Sequence, residues 1–276
     1  MILERSHSLP MLLEELSASG RLTFTRNEAI ERLQTTRDVF LKAAARLQKQ
    51  GRLLSPRHGF YVIVPSQHKT WGAPPPAWYI DALMKHEERP YYVALLKAAE
   101  IHGASHQAVM EFQIITDKQL PKIKAGRSIV AFYYKKNMET VSEGIERHKT
   151  ETGYMNVACA ELTALDLFRY PHAASGANHI ATVLADLGKN LDPNRLSFLA
   201  TAFERPVIQR LGYTLDYLGH DDAARHLMRT LTNTKGMVWT ELENPPRNVD
   251  QDLIAPPIER DRRWHIVVRN KLEVDQ

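Results

Sequence analysis

The chain has 276 residues, 43% hydrophobic and 25% charged, with a net charge of +4 and one cysteine, Cys159. It is long enough for two ordinary domains with packed cores. A single cysteine excludes an intramolecular disulfide and an all-cysteine metal knuckle. No apolar run approaches the roughly 20 residues that span a bilayer, and no signal-peptide pattern opens the chain, so a cytoplasmic protein without a membrane partner is expected.

The charge is unevenly placed. Residues 1–70 hold eleven Lys and Arg against six Asp and Glu, a surplus of five, which leaves −1 for the rest. A basic small module on a nearly neutral larger one points to a nucleic-acid contact at the N-terminal end.

In chain order, Leu9, Leu12, Leu13 and Leu16 recur at helical spacing, and Gly20 follows where a left-handed cap would sit. Arg21 to Thr25, "RLTFT", alternates as a very short strand, and Thr25 with Glu28 has the spacing of a capping box for a second helix over about Arg26 to Leu33. Thr35, three residues before Asp38, is expected to cap a third helix that runs to Gln50 and ends at Gly51. On that helix Val39, Ala43 and Leu47, with Phe40 and Ala44, are expected inside, and Arg37, Lys42, Arg46 and Lys49 outside. "GRLLSPRHGFYVIV" then reads as a β-hairpin with a basic Pro-Arg-His-Gly tip.

Helix, strand, helix, helix, hairpin is the order of a winged helix-turn-helix, whose third helix enters the major groove while the wing lies on the phosphates. Donors near the start of the third helix suit phosphates and base edges, so Thr35, Thr36, Arg37, Lys42, Arg46 and Lys49 are the candidate DNA contacts, with Arg57 and His58 at the wing tip.

"SQHKTWGAPPPAWYI" is proline-rich and reads as an extended linker, with Trp71, Trp78 and Tyr79 packing around it. Beyond it, Tyr91 to Ile101 has helical spacing, and "EFQIIT", "RSIVAFYY" and "GYMNVA" read as strands. Helical patterns follow, with starts at Asp192-Pro193 and His220-Asp221 and with Gly188, Gly212 and Gly219 near helix ends. "GMVWTEL" and "RWHIVVRNKL" are expected to return as strands of the same sheet. The expected fold is α+β: a winged helix-turn-helix over 1–66, a linker over 67–85 and a larger mixed domain over 86–276.

Chemical alternatives find weak footing. His102 and His106 have the spacing of two zinc ligands, but Gly103 replaces the metalloprotease glutamate and suits a helix cap better. Glu111, Asp117 and Lys118, or Glu241 and Glu243, would serve a magnesium nuclease targeted by the winged helix; carboxylates at strand ends are equally explained by solvation. Neither a P-loop nor a nucleophile elbow is present in the sequence. No catalytic residue, metal or cofactor is expected.

The segments "SPRHGFYVIVP", "PPPAWYI", "RPYYVALLKAAEIHGASHQAVMEFQIITD" and "GYMNVACAELTALDLFRYP" together resemble the AbiEi family of antitoxins from type IV toxin-antitoxin systems. The resemblance implies a winged helix that represses its own operon by binding inverted repeats in double-stranded operator DNA. It also implies a C-terminal domain that counteracts a nucleotidyltransferase-like toxin without a stable complex.

Overall fold

A computed structural model of the chain describes residues 8–104, 109–232, 237–243 and 255–274. The chain divides into two compact units, one built from residues 1–92, 110–136 and 147–156 and the other from 93–109, 137–146 and 157–276. The mixed α+β class is the observed one.

The first unit begins with helices α1 (Leu9–Ala18), α2 (Arg26–Leu33) and α3 (Arg37–Lys49) and strands β1 (Thr23–Thr25), β2 (Leu53–Arg57) and β3 (Phe60–Ile63). The strands form a sheet in the order β1-β3-β2, antiparallel throughout, with Phe24 opposite Tyr61. Leu9, Leu12, Leu13 and Leu16 of α1 are buried with Phe24, Phe40, Ala44, Leu47 and Tyr61. The Phe24 and Tyr61 rings stack at 5.4 Å, and Phe40 meets Tyr61 edge-on at 5.3 Å. Thr25 caps α2 by accepting from the Glu28 backbone N–H at 3.2 Å, as its spacing predicts.

Two details of α3 differ from expectation. Its cap is Thr36, not Thr35: the Thr36 hydroxyl accepts from Val39 N–H at 3.5 Å, because Gln34 closes α2 in a left-handed conformation and delays the next helix by one residue. Val39 is outside. Phe40, Ala44 and Leu47 keep the three-and-four spacing of one face, and Val39 lies about 100° around the helix from Phe40.

The proline-rich stretch carries 3-10 turns at Ser66–His68 and Pro76–Trp78 and leads into helix α4 (Ile80–His86), with Ala73, Tyr79 and Ile80 buried. A six-stranded sheet follows, in the order β6-β7-β5-β4-β9-β8, from β4 (Tyr91–Val93), β5 (Glu111–Thr116), β6 (Ile123–Ala125), β7 (Ser128–Tyr134), β8 (Ile145–Thr150) and β9 (Gly153–Ala158). The strands expected from "EFQIIT", "RSIVAFYY" and "GYMNVA" are all present; β6 and β8 are additional. β5 and β7 pair in parallel from Glu111↔Ile129 to Thr116↔Tyr134. The turn between β6 and β7 requires Gly126: its φ is +58°, and a Cβ there would lie 2.0 Å from the Trp71 carbonyl oxygen.

Tyr91–Val93 is a strand rather than the start of a helix. The aromatic and β-branched run is wholly buried and favours a pleated surface, and Ala94 leads from it into helix α5 (Leu95–Ile101), whose first residue has φ +56°. The second unit is built around α6 (Ala160–Arg169), buried from Glu161 through Phe168 and packed by α5, α7 (Ala177–Leu187), α8 (Pro193–Ala200) and α9 (Arg205–Tyr217). Helix α10 (Asp221–Thr232) packs on α8 and α9. Asp192 caps α8 by accepting from Asn194 and Arg195 N–H at 2.8 and 3.1 Å.

The late strands do not return to the larger sheet. β10 (Thr240–Glu241), β11 (Glu259–Asp261) and β12 (Ile266–Val268) make a third sheet, ordered β10-β12-β11. Helix α9 organises it: Gln209 Nε2 donates to the carbonyls of Trp264 and Val238 at 2.8 and 3.0 Å, and Arg210 Nε donates to that of Glu241 at 2.8 Å. Gly212 lies within α9 rather than at a helix end, and a Cβ there would stand 2.0 Å from the Trp264 ring.

Candidate nucleic-acid interface

Helix α3 carries four exposed basic residues. Arg37 is its first residue, and Lys42, Arg46 and Lys49 follow on its exposed side, with Thr36 at the cap and Thr35 half-buried before it. Among the described residues, no ion pair or side-chain hydrogen bond engages Arg37, Lys42, Arg46 or Lys49. Four cations on one thirteen-residue helix without internal neutralisation create a positive surface suited to a polyanion. The acidic Asp38 sits in the first turn, where the helix dipole favours a negative charge.

The hairpin residues Arg57 and His58 are placed differently. Arg57 Nη2 donates to the Pro121 carbonyl at 2.7 Å, Nε lies 3.3 Å from Glu87 Oε1, and the guanidinium covers the Phe132 ring at 5.4 Å. Its side chain is only 17% exposed. Burial lowers its pKa, and the Glu87 charge opposes that shift. His58 Nε2 is 3.0 Å from Arg26 Nη1; a guanidinium only donates, so the imidazole nitrogen accepts. His86 Nε2 donates to the His58 carbonyl at 3.0 Å. The structure thus gathers Thr35, Thr36, Arg37, Lys42, Arg46 and Lys49 on one element and ties Arg57 and His58 to their neighbours.

Of the residues weighed for metal or catalytic chemistry, His102, Glu111, Asp117, Glu241 and Glu243 have structural partners. His102 is the C-terminal cap of α5, its Nε2 donates to the Ala158 carbonyl at 2.7 Å, and Gly103 is left-handed at φ +74°. His106 lies outside the described residues. Glu111 pairs with Lys122, and Asp117 lies 3.6 Å from Arg89 while Lys118 faces water. Glu241 pairs with Arg269 at 2.8 Å, and Glu243 Oε1 accepts from the Ala177 N–H at the start of α7 at 3.3 Å. No group of three His, Cys, Asp or Glu side chains is placed to hold a metal among the described residues. Cys159 is buried as the cap of α6, its sulfur accepting from Leu162 N–H, and burial pushes its thiol up to about 12, far from a reactive thiolate.

Val39 is the feature of this surface that sequence reading misplaced. The signal was present: it stands three residues before Lys42 and seven before Arg46, on the stripe assigned to solvent.

Comparison with known proteins adds to this geometry. The family profile described as "AbiEi antitoxin C-terminal domain" matches residues 92–217. A search of curated proteins finds no match. Among solved structures the chain is similar to the crystal structure of the RV2827C protein from Mycobacterium tuberculosis, with a TM-score of 0.66 and 15% identity over 96% of this chain and 93% of that one. At that identity the likeness is one of fold.

Proposed function

We propose, from the AbiEi antitoxin C-terminal domain matched over residues 92–217, that this chain is a type IV antitoxin that also represses its own operon. Residues 1–66 act as a winged helix-turn-helix on double-stranded operator DNA containing inverted repeats. Residues 67–85 lead to the antitoxin domain of residues 86–276, which counteracts a nucleotidyltransferase-like toxin. The observation that carries the DNA-binding part is the set of unneutralised cations on α3, with Lys42, Arg46 and Lys49 on its exposed side and Arg37 at its first position. The element order and the β1-β3-β2 sheet support it, because they match those of a winged helix-turn-helix.

The work divides by chemistry. The lysines and Arg46 neutralise phosphates and release counterions, which gives affinity and a steep salt dependence without sequence preference. Thr35, Thr36 and Arg37, at the leading end of the helix, are placed for base edges or flanking phosphates. An inverted repeat requires two copies on one operator, matched in symmetry.

The test is a gel-shift series with full-length protein on the DNA upstream of its own reading frame. Retention of the inverted-repeat duplex against excess unrelated duplex is expected; equal binding to both would sink autorepression. The antitoxin part is tested by co-expression with the neighbouring toxin. The variant with Arg37, Lys42, Arg46 and Lys49 all changed to alanine is expected to lose repression and still rescue growth. Loss of rescue in that variant, with the protein folded, would count against assigning the two activities to different domains.

A further inference from the structure

Val39 is an α3 side chain that the fold does not use. It is 58% exposed, and as a β-branched residue in a helix it brings restricted χ1 freedom with little burial in return. Its backbone N–H is fixed in the first turn by the Thr36 hydroxyl at 3.5 Å. Lys42 and Arg46 continue on the same side of the helix, while Phe40, Ala44 and Leu47 face the core.

A cationic stripe with an apolar side chain in its leading turn has a specific chemical complement. The major groove of DNA presents donors, acceptors and one apolar group, the C5-methyl of thymine. Lysine and arginine supply affinity that is blind to sequence, and an exposed isopropyl group supplies a contact that is not. The neighbouring Asp38 carboxylate is exposed in the same turn and disfavours a phosphate at its own position. Leu41, the other exposed large apolar residue of α3, is 37% exposed and stands two positions from Val39, about 200° around the helix.

We infer that Val39 is a specificity-determining residue that reads the C5-methyl group of one thymine in each operator half-site. The inference rests on the DNA-binding reading above and adds the base that is selected and the atom that is touched.

The experiment uses full-length protein and the duplex that the wild type selects from a random-sequence library at fixed salt. Each thymine is then replaced singly by deoxyuridine, which removes only the methyl group. At one position per half-site the wild type is expected to bind deoxyuridine roughly three- to tenfold more weakly, the scale of one lost methyl contact. Val39→Ala is expected to bind the thymine duplex more weakly by a similar factor and to treat thymine and deoxyuridine alike. Leu41→Ala keeps the discrimination. Full discrimination by Val39→Ala, indifference of the wild type to every replacement, or loss of discrimination in Leu41→Ala would each overturn the inference. Failure of the wild type to select any sequence would overturn the DNA-binding reading itself, and this inference with it.

Discussion

On α3, Arg37, Lys42, Arg46 and Lys49 stand in water without an ion pair among the described residues, whereas other basic residues of the same N-terminal segment are already committed. Arg57 on the hairpin is held by Pro121, Glu87 and Phe132. Arg21 lies 2.8 Å from Glu28, and Arg32 sits between Glu15 at 3.4 Å and Glu28 at 3.5 Å. Counting positive charge therefore does not locate an interface. A guanidinium already solvated by carboxylates and carbonyls must lose those contacts to bind phosphate, while one exposed to water exchanges only water and counterions.

That contrast is broken most strongly from inside α3. Phe40 occupies the buried side of the helix whose other side carries the free cations, and Phe40→Ala is expected to destabilise the protein by about 3–5 kcal/mol through lost burial and the cavity left beside Tyr61. Urea unfolding checks it. A loss under about 1 kcal/mol would mean that α3 is not seated on the core as described.

Arg57→Ala comes next. It removes a charged hydrogen bond to Pro121 and leaves Glu87 without its arginine, so a loss of about 1–2 kcal/mol is expected, with little change in the salt dependence of DNA binding. The measurement pairs thermal unfolding with gel shifts at several salt concentrations. A salt slope reduced by about one, with stability unchanged, would show that Arg57 lets go of its partners and takes a phosphate instead.

Arg57 shows where sequence reading reaches its limit. The α1 leucines, the Thr25 cap and the Asp192-Pro193 start were legible because their signals are local: helical spacing and an oxygen two or three residues from an orphan N–H. The outer face of α3 was legible for the same reason. Arg57 ends the first strand of the hairpin that its sequence predicts, but its acceptor on Pro121 is 64 residues away and leaves no local trace. The same holds for Gly212, whose neighbour Trp264 comes from a distant segment, and for the third sheet, whose order is set by hydrogen bonds from Gln209 and Arg210. Val39 was misplaced for another reason: an apolar residue was assumed to be inside although its spacing put it outside.

A smaller effect concerns the committed set. Burial raises the Glu28 pKa, but the Arg21 hydrogen bond, the Arg21 and Arg32 charges and the Thr25 N–H together bring it below the ordinary carboxylate value. A lowered folded pKa contributes stability above the unfolded value that is lost as pH falls through the folded one. Glu28→Gln is therefore expected to be about 0.2–1 kcal/mol less stable than wild type at pH 7, the range of exposed ion pairs, with the difference closing in acid. Unfolding curves at pH 7 and well below the carboxylate range read this directly. A gap that persists or widens in acid would assign the loss to something other than the Arg21–Glu28–Arg32 cluster.

Arg46→Ala is expected to change stability least, within about 0.5 kcal/mol, because the side chain is exposed and holds nothing. Its effect appears only when DNA is present. If Arg46 neutralises one phosphate, the slope of log affinity against log salt becomes shallower by about one, and affinity falls by a similar factor on every sequence tested. If Arg46 reads a guanine instead, affinity falls on the operator far more than on unrelated DNA, and the slope hardly moves. An unchanged slope together with unchanged affinity would remove α3 from the interface. The free cations would then be a solvated helix face, and the committed arginines of the same segment would need to be examined as donors that release their partners on binding.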